Sequence, residues 1–227
     1  MRWLAIPLFL LTAASAPAER SFIVGSFERL RVDGPFDVTV VTGSPNASAS
    51  GDTPALDQVS VRVDGSTLFV SPGALGVGQQ AAMAKITISA PALHAVLVNG
   101  GGRVRIAEMR GARVDVVLNG AGALDVRAIQ ADEANVSLNG TGAVTVGGKA
   151  GKARLSSYGA GSIDGGGFTA NDATILSQSS GDMRVGVRYT AQIIAAGAGG
   201  IGIIGAPECR VSGPGRVDCG AGKLVRR

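Results

Sequence analysis

The chain has 227 residues, 45% hydrophobic and only 4% aromatic, with 35 glycines and a formal net charge of +4. That length buries a core as one domain. So few aromatics beside scattered basic residues argue against nucleic acid as a partner, because strands are held by base stacking within a basic groove.

Residues 1–18 read as a secretory leader. Arg2 supplies the positive start, WLAIPLFLLTAA a short apolar core, and Ala16-Pro17-Ala18 a small-x-small cleavage site. The apolar run is too short to span a bilayer, and no later run approaches the roughly 18 residues that a membrane helix needs. The mature chain is then 19–227, a single exported domain placed in the periplasm or at the cell surface.

From Phe27, FERLRVDGPFDVTVVTG alternates apolar and polar residues, with Phe27, Leu30, Val32, Phe36, Val38 and Val40 on one face. VSVRVDGSTLFV places Asp64-Gly65 between two alternating runs, a hairpin signal. AKITISAP reads as a further short strand. GSPNASASGDTP and SPGALGVGQQAA carry turn residues and read as loops. These pieces, about 19–90, are expected to form an N-terminal β cap and the first coils.

From about residue 91 to 220 the chain repeats. Gly102, Gly122, Gly142, Gly161, Gly181, Gly199 and Gly215 recur at spacings of 20, 20, 19, 20, 18 and 16. Two residues after each stands an apolar side chain: Val104, Leu124, Val144, Ile163, Met183, Ile201 and Val217. Six residues before the first six stand Val96, Val116, Val136, Leu155, Ile175 and Ile193. Two short strands per repeat, with a Gly corner between them, make a coil that cannot bury its own apolar face. Stacked coils bury a continuous interior. The reading is an all-β fold: a right-handed parallel β-solenoid (β-helix) of about 20 residues per coil, the hand being the default of parallel crossovers.

Asn99, Asn119 and Asn139 recur at one corner and are expected to stack as a structural ladder. Tyr158, Gln178 and Ala196 follow in the later coils. Cys209 and Cys219 admit two readings in an exported chain: a disulfide closing a short C-terminal loop, or two buried thiols.

Other motifs carry no site. GAGGIG (197–202) matches a dinucleotide loop, but a strand-like IIGAPECRV follows it where a helix is required. GAGSIDGGG resembles one calcium nonapeptide without the tandem nine-residue period such sites need. His94 is the single histidine, which leaves no zinc cluster. The outward positions Arg105, Asp125, Thr145, Asp164, Arg184, Gly202 and Asp218 include recurring acids, but Thr145 interrupts them, and Asp115 and Asp132 lie elsewhere in the coil. No catalytic, cofactor-binding or metal-ligating residue is assigned, and no cofactor is expected.

FERLRVDGPFDVTVVTG, VRVDGSTLFV, ITISAPALHAVLVNGGGRV and LNGAGALDV together resemble the head GIN domain family of bacterial putative auto-transporter adhesins, over about Phe27 to Val217. The resemblance implies a secreted or cell-envelope protein with a β-solenoid-like fold. The leading expectation is therefore a non-enzymatic, adhesin-like binding protein whose partner is a glycan or an envelope or extracellular protein. A polysaccharide-active enzyme on the same scaffold and a purely structural envelope protein are the alternatives.

Overall fold

A computed structural model describes residues 18–73 and 84–226. The leader read over 1–18 lies outside these except for Ala18, and so does most of the loop read over 71–82. In chain order the elements are β1 (Ala18–Phe22), β2 (Arg29–Asp33), β3 (Asp37–Thr42), β4 (Asn46–Gly51), α1 (Thr53–Asp57), β5 (Val59–Asp64), β6 (Thr67–Pro72) and β7 (Lys85–Ala90). There follow β8 (Ala95–Asn99), β9 (Arg103–Ile106), β10 (Met109–Gly120), β11 (Ala123–Gly140), β12 (Ala143–Gly159), β13 (Ser162–Ser179) and β14 (Met183–Ala195). The chain closes with β15 (Ile201–Ile204), β16 (Glu208–Ser212), β17 (Val217–Asp218) and β18 (Lys223–Arg226).

The protein is a parallel β-solenoid of about 6 turns, with roughly 20 residues per coil. Each strand pairs in parallel with its counterpart one coil on. Val96, Val116, Val136, Leu155, Ile175, Ile193 and Val211 therefore lie in one continuous register. Val104, Leu124, Val144, Ile163, Met183, Ile201 and Val217 lie in a second. Both columns point inward, and all but the partly buried Val217 are buried. Each such side chain contributes about 1.5–3 kcal/mol of apolar transfer, so the stack of columns is the main source of stability.

Two short strands per coil are expected; in the middle coils one long strand bends through the second corner without leaving the ladder. β11 and β13 each have 18 residues. The repeat drifts from 20 because that second corner absorbs insertions and deletions. β12 loses a residue where Val126/Ile129 of β11 face Val146/Gly148. β13 gains one between Asp164 and Gly167, and β14 shortens between Val185 and Gly186. The two inward columns stay aligned because this slack is taken between them, at the second corner, and not within either column.

The Gly corner keeps its length until the last coil, where Val211 and Val217 stand closer in sequence than Ile193 and Ile201 one coil before. Gly120 and Gly159 have φ of +125° and +109°, and a Cβ on either would lie 2.6 Å from the carbonyl oxygen of the glycine one coil below, Gly100 and Gly140 respectively. The second glycine of each motif serves close approach instead: Gly122 N–H donates to Gly100 O at 3.0 Å, and a Cβ there would strike the Gly102 carbonyl.

The N-terminal part joins the stack out of chain order. β2 pairs in parallel with β6 on one side and β8 on the other, and β3 with β7 and β9. Residues 29–42 are thus an inner rung between the coil of β6–β7 and that of β8–β9. Beyond them the end is covered by antiparallel strands: β5 on β6, then β4 on β7 and β1 on β4. α1 packs there through buried Ala55 and Leu56. NASASG, expected as loop, is strand β4. Its polar, small-residue composition hides an alternation in which Ala47 and Ala49 are buried.

Candidate functional site

The outer surface is organised by the same register as the core, as polar columns running along the stack. On the column of the Asn-Gly corner, Asn119 Nδ2 donates to Asn99 Oδ1 at 2.9 Å and Asn139 Nδ2 to Asn119 Oδ1 at 2.8 Å. Asn99 in turn donates to Asp33, whose carboxylate also accepts from Arg31 Nε at 2.9 Å. A carboxylate is an apt terminus because it accepts without needing to donate. Each bonded amide spends its groups on its neighbours, so this column braces the corner. Tyr158 and Gln178 continue it in register.

The outward positions Arg105, Asp125, Thr145, Asp164, Arg184, Gly202 and Asp218 also fall in one register. Asp125, Arg127, Thr145, Asp164 and Arg184 line a shallow shelf of about 510 Å³. Arg105 is drawn off it by Asp37, at 2.9 Å. Asp164 Oδ1 accepts from Gly166 N–H at 2.9 Å.

The face beyond the second corner carries a column of alternating charge: Arg113, Glu133, Lys152, Asp172, Thr190, Glu208 and Lys223. Arg113 Nη2 and Glu133 Oε2 are 2.8 Å apart, and Thr190 Oγ1 donates to Asp172 at 2.6 Å. The hydrogen bond from Arg113 holds the Glu133 carboxyl below its ordinary range; the same bond raises the Arg113 guanidinium. Beside this column Asn135 donates to Asp115 at 2.8 Å. His94 Nδ1 lies 3.8 Å from Glu28 and borders a small hollow with Arg29 and Arg113.

A trough of about 430 Å³ runs along the second corner itself. Its floor includes Gly111, Ala131, Ala150 and Gly151, and its polar rim includes Gln130, Asp132, Lys149, Thr169, Asn171 and Arg188. Apart from Asp132, these rim residues have no part in the sequence-level reading. Their signal is a polar column at Arg110, Gln130, Lys149 and Thr169 that repeats with the coil.

Cys209 and Cys219 are joined by a disulfide, with Cα atoms 6.3 Å apart and both residues buried. The bond ties two faces of the last coil across the interior. Among the described residues no group of three or more His, Cys, Asp or Glu is arranged to hold a metal ion. No helix among them is long and apolar enough to cross a membrane.

The family model described as "Putative auto-transporter adhesin, head GIN domain" matches residues 26–207. No curated protein matches the chain. Solved structures share its fold. A "putative adhesin" from Bacteroides fragilis NCTC 9343 is 21% identical, the match covering 94% of this chain and 96% of that one, with a TM-score of 0.72. A "putative lipid binding protein" from Parabacteroides distasonis ATCC 8503 is 18% identical over 93% of this chain and 96% of that one, TM-score 0.56. A "putative adhesin" from Parabacteroides merdae ATCC 43184 is 16% identical over 93% and 96%, TM-score 0.57. At these identities the likeness concerns the fold.

Proposed function

This chain belongs to the head GIN domain family, and we propose that it is an exported, non-enzymatic binding protein that presents the side of its solenoid to a glycan or a protein of the envelope or the extracellular space. The observation that carries this reading is the outer surface of in-register polar columns, rigidly spaced over consecutive coils. Such a surface offers many shallow contacts rather than one enclosed pocket, which suits an extended partner. The leader read over residues 1–18 and the Cys209–Cys219 bond both suit an oxidising compartment outside the cytoplasm.

The test has two parts. A flexible tag placed after Arg227 is followed by protease treatment of intact and lysed cells. Loss of the tag from intact cells puts the chain at the surface and supports adhesion; protection until lysis puts it in the periplasm and overturns direct adhesion. Separately, the joint replacement Asp125→Ala, Asp164→Ala and Arg184→Ala alters the shelf without touching the core. If neither these nor changes on the other outward columns alter any partner interaction, surface binding is overturned. Release of reducing ends from polysaccharides by the wild-type protein, lost in Asp164→Ala, would replace binding with catalysis.

A further inference from the structure

We infer that the trough along the second corner is a subsite for an acidic oligosaccharide lying parallel to the solenoid axis. The inference rests on the surface-binding reading above and names its site and ligand class.

Several polar side chains on the neighbouring columns are spent on one another: Arg113 on Glu133, Asn135 on Asp115, Thr190 on Asp172, Asn139 on Asn119. The trough instead gathers unpartnered side chains from consecutive coils around one hollow. Among the described residues, Asp132, Lys149, Thr169, Asn171 and Arg188 line it without a hydrogen-bond or ion-pair partner in the chain. These groups of different chemistry stand over a floor of Gly and Ala, which lets a ligand approach the backbone closely.

A second observation lies at the far end of the trough. Ala170 and Asp172 of β13 pair with Val187 and Thr190 of β14, so Arg188 and Tyr189 together oppose Asn171. This is a β-bulge, a device that re-aims side chains. It places Tyr189, which is 61% exposed, next to the rim residue Arg188. An exposed phenol ring offers an apolar face for sugar C–H groups and a hydroxyl for their oxygens.

The ligand class follows from the donor set. Sugar hydroxyls both donate and accept, which matches Asp132, Thr169 and Asn171, while Gln130 already donates to Glu108 at 3.2 Å. Two cations, Lys149 and Arg188, outnumber the single carboxylate on the rim, so carboxylate-bearing sugars are favoured over neutral ones. The rim residues repeat at the strand spacing of roughly 4.7–4.9 Å. An extended chain of pyranose rings advances by nearly the same distance per ring, so successive sugars meet successive coils.

The experiment is titration calorimetry of the full mature chain with uronic-acid tetrasaccharides and with neutral hexose tetrasaccharides of the same linkage. Saturable binding of the uronate, weakening as salt rises, is expected. Lys149→Ala with Arg188→Ala should weaken it at least tenfold, and Tyr189→Ala several-fold, with melting temperatures unchanged. Lys149→Arg should retain most of the binding. Arg62→Ala on β5 of the N-terminal cover is the control and should bind as wild type; the shelf variant Asp164→Ala with Arg184→Ala asks whether the shelf holds the uronate instead. Uronate binding that ignores the trough changes, or is lost only in the shelf variant, overturns the subsite and leaves surface binding standing. Binding of the neutral sugar alone overturns the ligand class. Failure of both sugars to bind overturns the inference; surface binding falls with it only if the cell-level interactions are absent as well.

Discussion

At the scale of single residues, the demands on the corner and on the outer face differ in kind. Gly120 combines a positive φ with a backbone carbonyl 2.6 Å from where a Cβ would sit. Gly120→Ala should therefore cost about 2 kcal/mol or more in denaturant unfolding. Gly65 also has positive φ but open space around it, so Gly65→Ala should cost only about 1 kcal/mol. Equal losses at the two sites would show that the close approach is unimportant. Glu133 illustrates the outer face. Its folded-state pKa is lowered by Arg113, so its stabilising contribution is present above its ordinary value of 4.5 and is lost as pH falls through the lower folded value. Glu133→Lys would set three cations in a row with Arg113 and Lys152. The melting temperature should drop at low salt and recover partly at high salt, because exposed charges are screened. A drop indifferent to salt would point to packing. The Asn ladder was legible from Asn99, Asn119 and Asn139, since one residue type recurs with the coil. Its base, Asp33, was not, because it lies 66 residues before Asn99 in the chain.

At the scale of elements, the two ends of the stack are closed by different means. The N-terminal end is covered by antiparallel β5, β4 and β1. At the other end the last strands are short, β18 is exposed along its length, and Arg226 donates to the open carbonyls of Gly213 and Gly215. The Cys209–Cys219 bond spans 10 residues in sequence. A loop that short restricts the unfolded chain by about 3 kcal/mol. Reduction should therefore loosen the last coil first. Hydrogen exchange under reductant is expected to speed up over 205–226 while β11 and β12 stay protected; uniform loss of protection would make the bond a determinant of the whole fold. The elements themselves were legible where apolar residues alternate, as in β2, β3 and β8. β4 was not, because alanines among serines carry too little hydrophobic contrast to outweigh the turn-forming residues beside them.

At the scale of the whole molecule, the insertion of β2 and β3 between later coils predicts that the chain unfolds as one cooperative unit. A fragment beginning at Pro91 keeps the regular repeat but strips β8 and β9 of their β2 and β3 partners. It should aggregate or elute as larger species in size-exclusion chromatography, because an unpaired, long, apolar-backed edge recruits other strands. A stable, monomeric fragment would show that the repeat folds alone and that residues 19–90 are an accessory. The same long-range pairing, between segments separated by more than 60 residues, predicts folding slower than local coil stacking alone would give.

The coil, its period, the inward columns and the braced Asn corner could all be read along the chain. These follow from apolar alternation and from glycine spacing, which are local properties read along the chain. That residues 29–42 are an inner rung, that Asp33 anchors the ladder, and that Lys149, Thr169, Asn171 and Arg188 share one trough emerged with the assembled stack. Rung order is set by which edges meet, and parallel strands with similar Val, Leu and Ile faces can stack in more than one order without any change in local pattern. The trough depends further on small register shifts at the second corner, where each residue gained or lost in one coil decides which polar side chains face the same hollow.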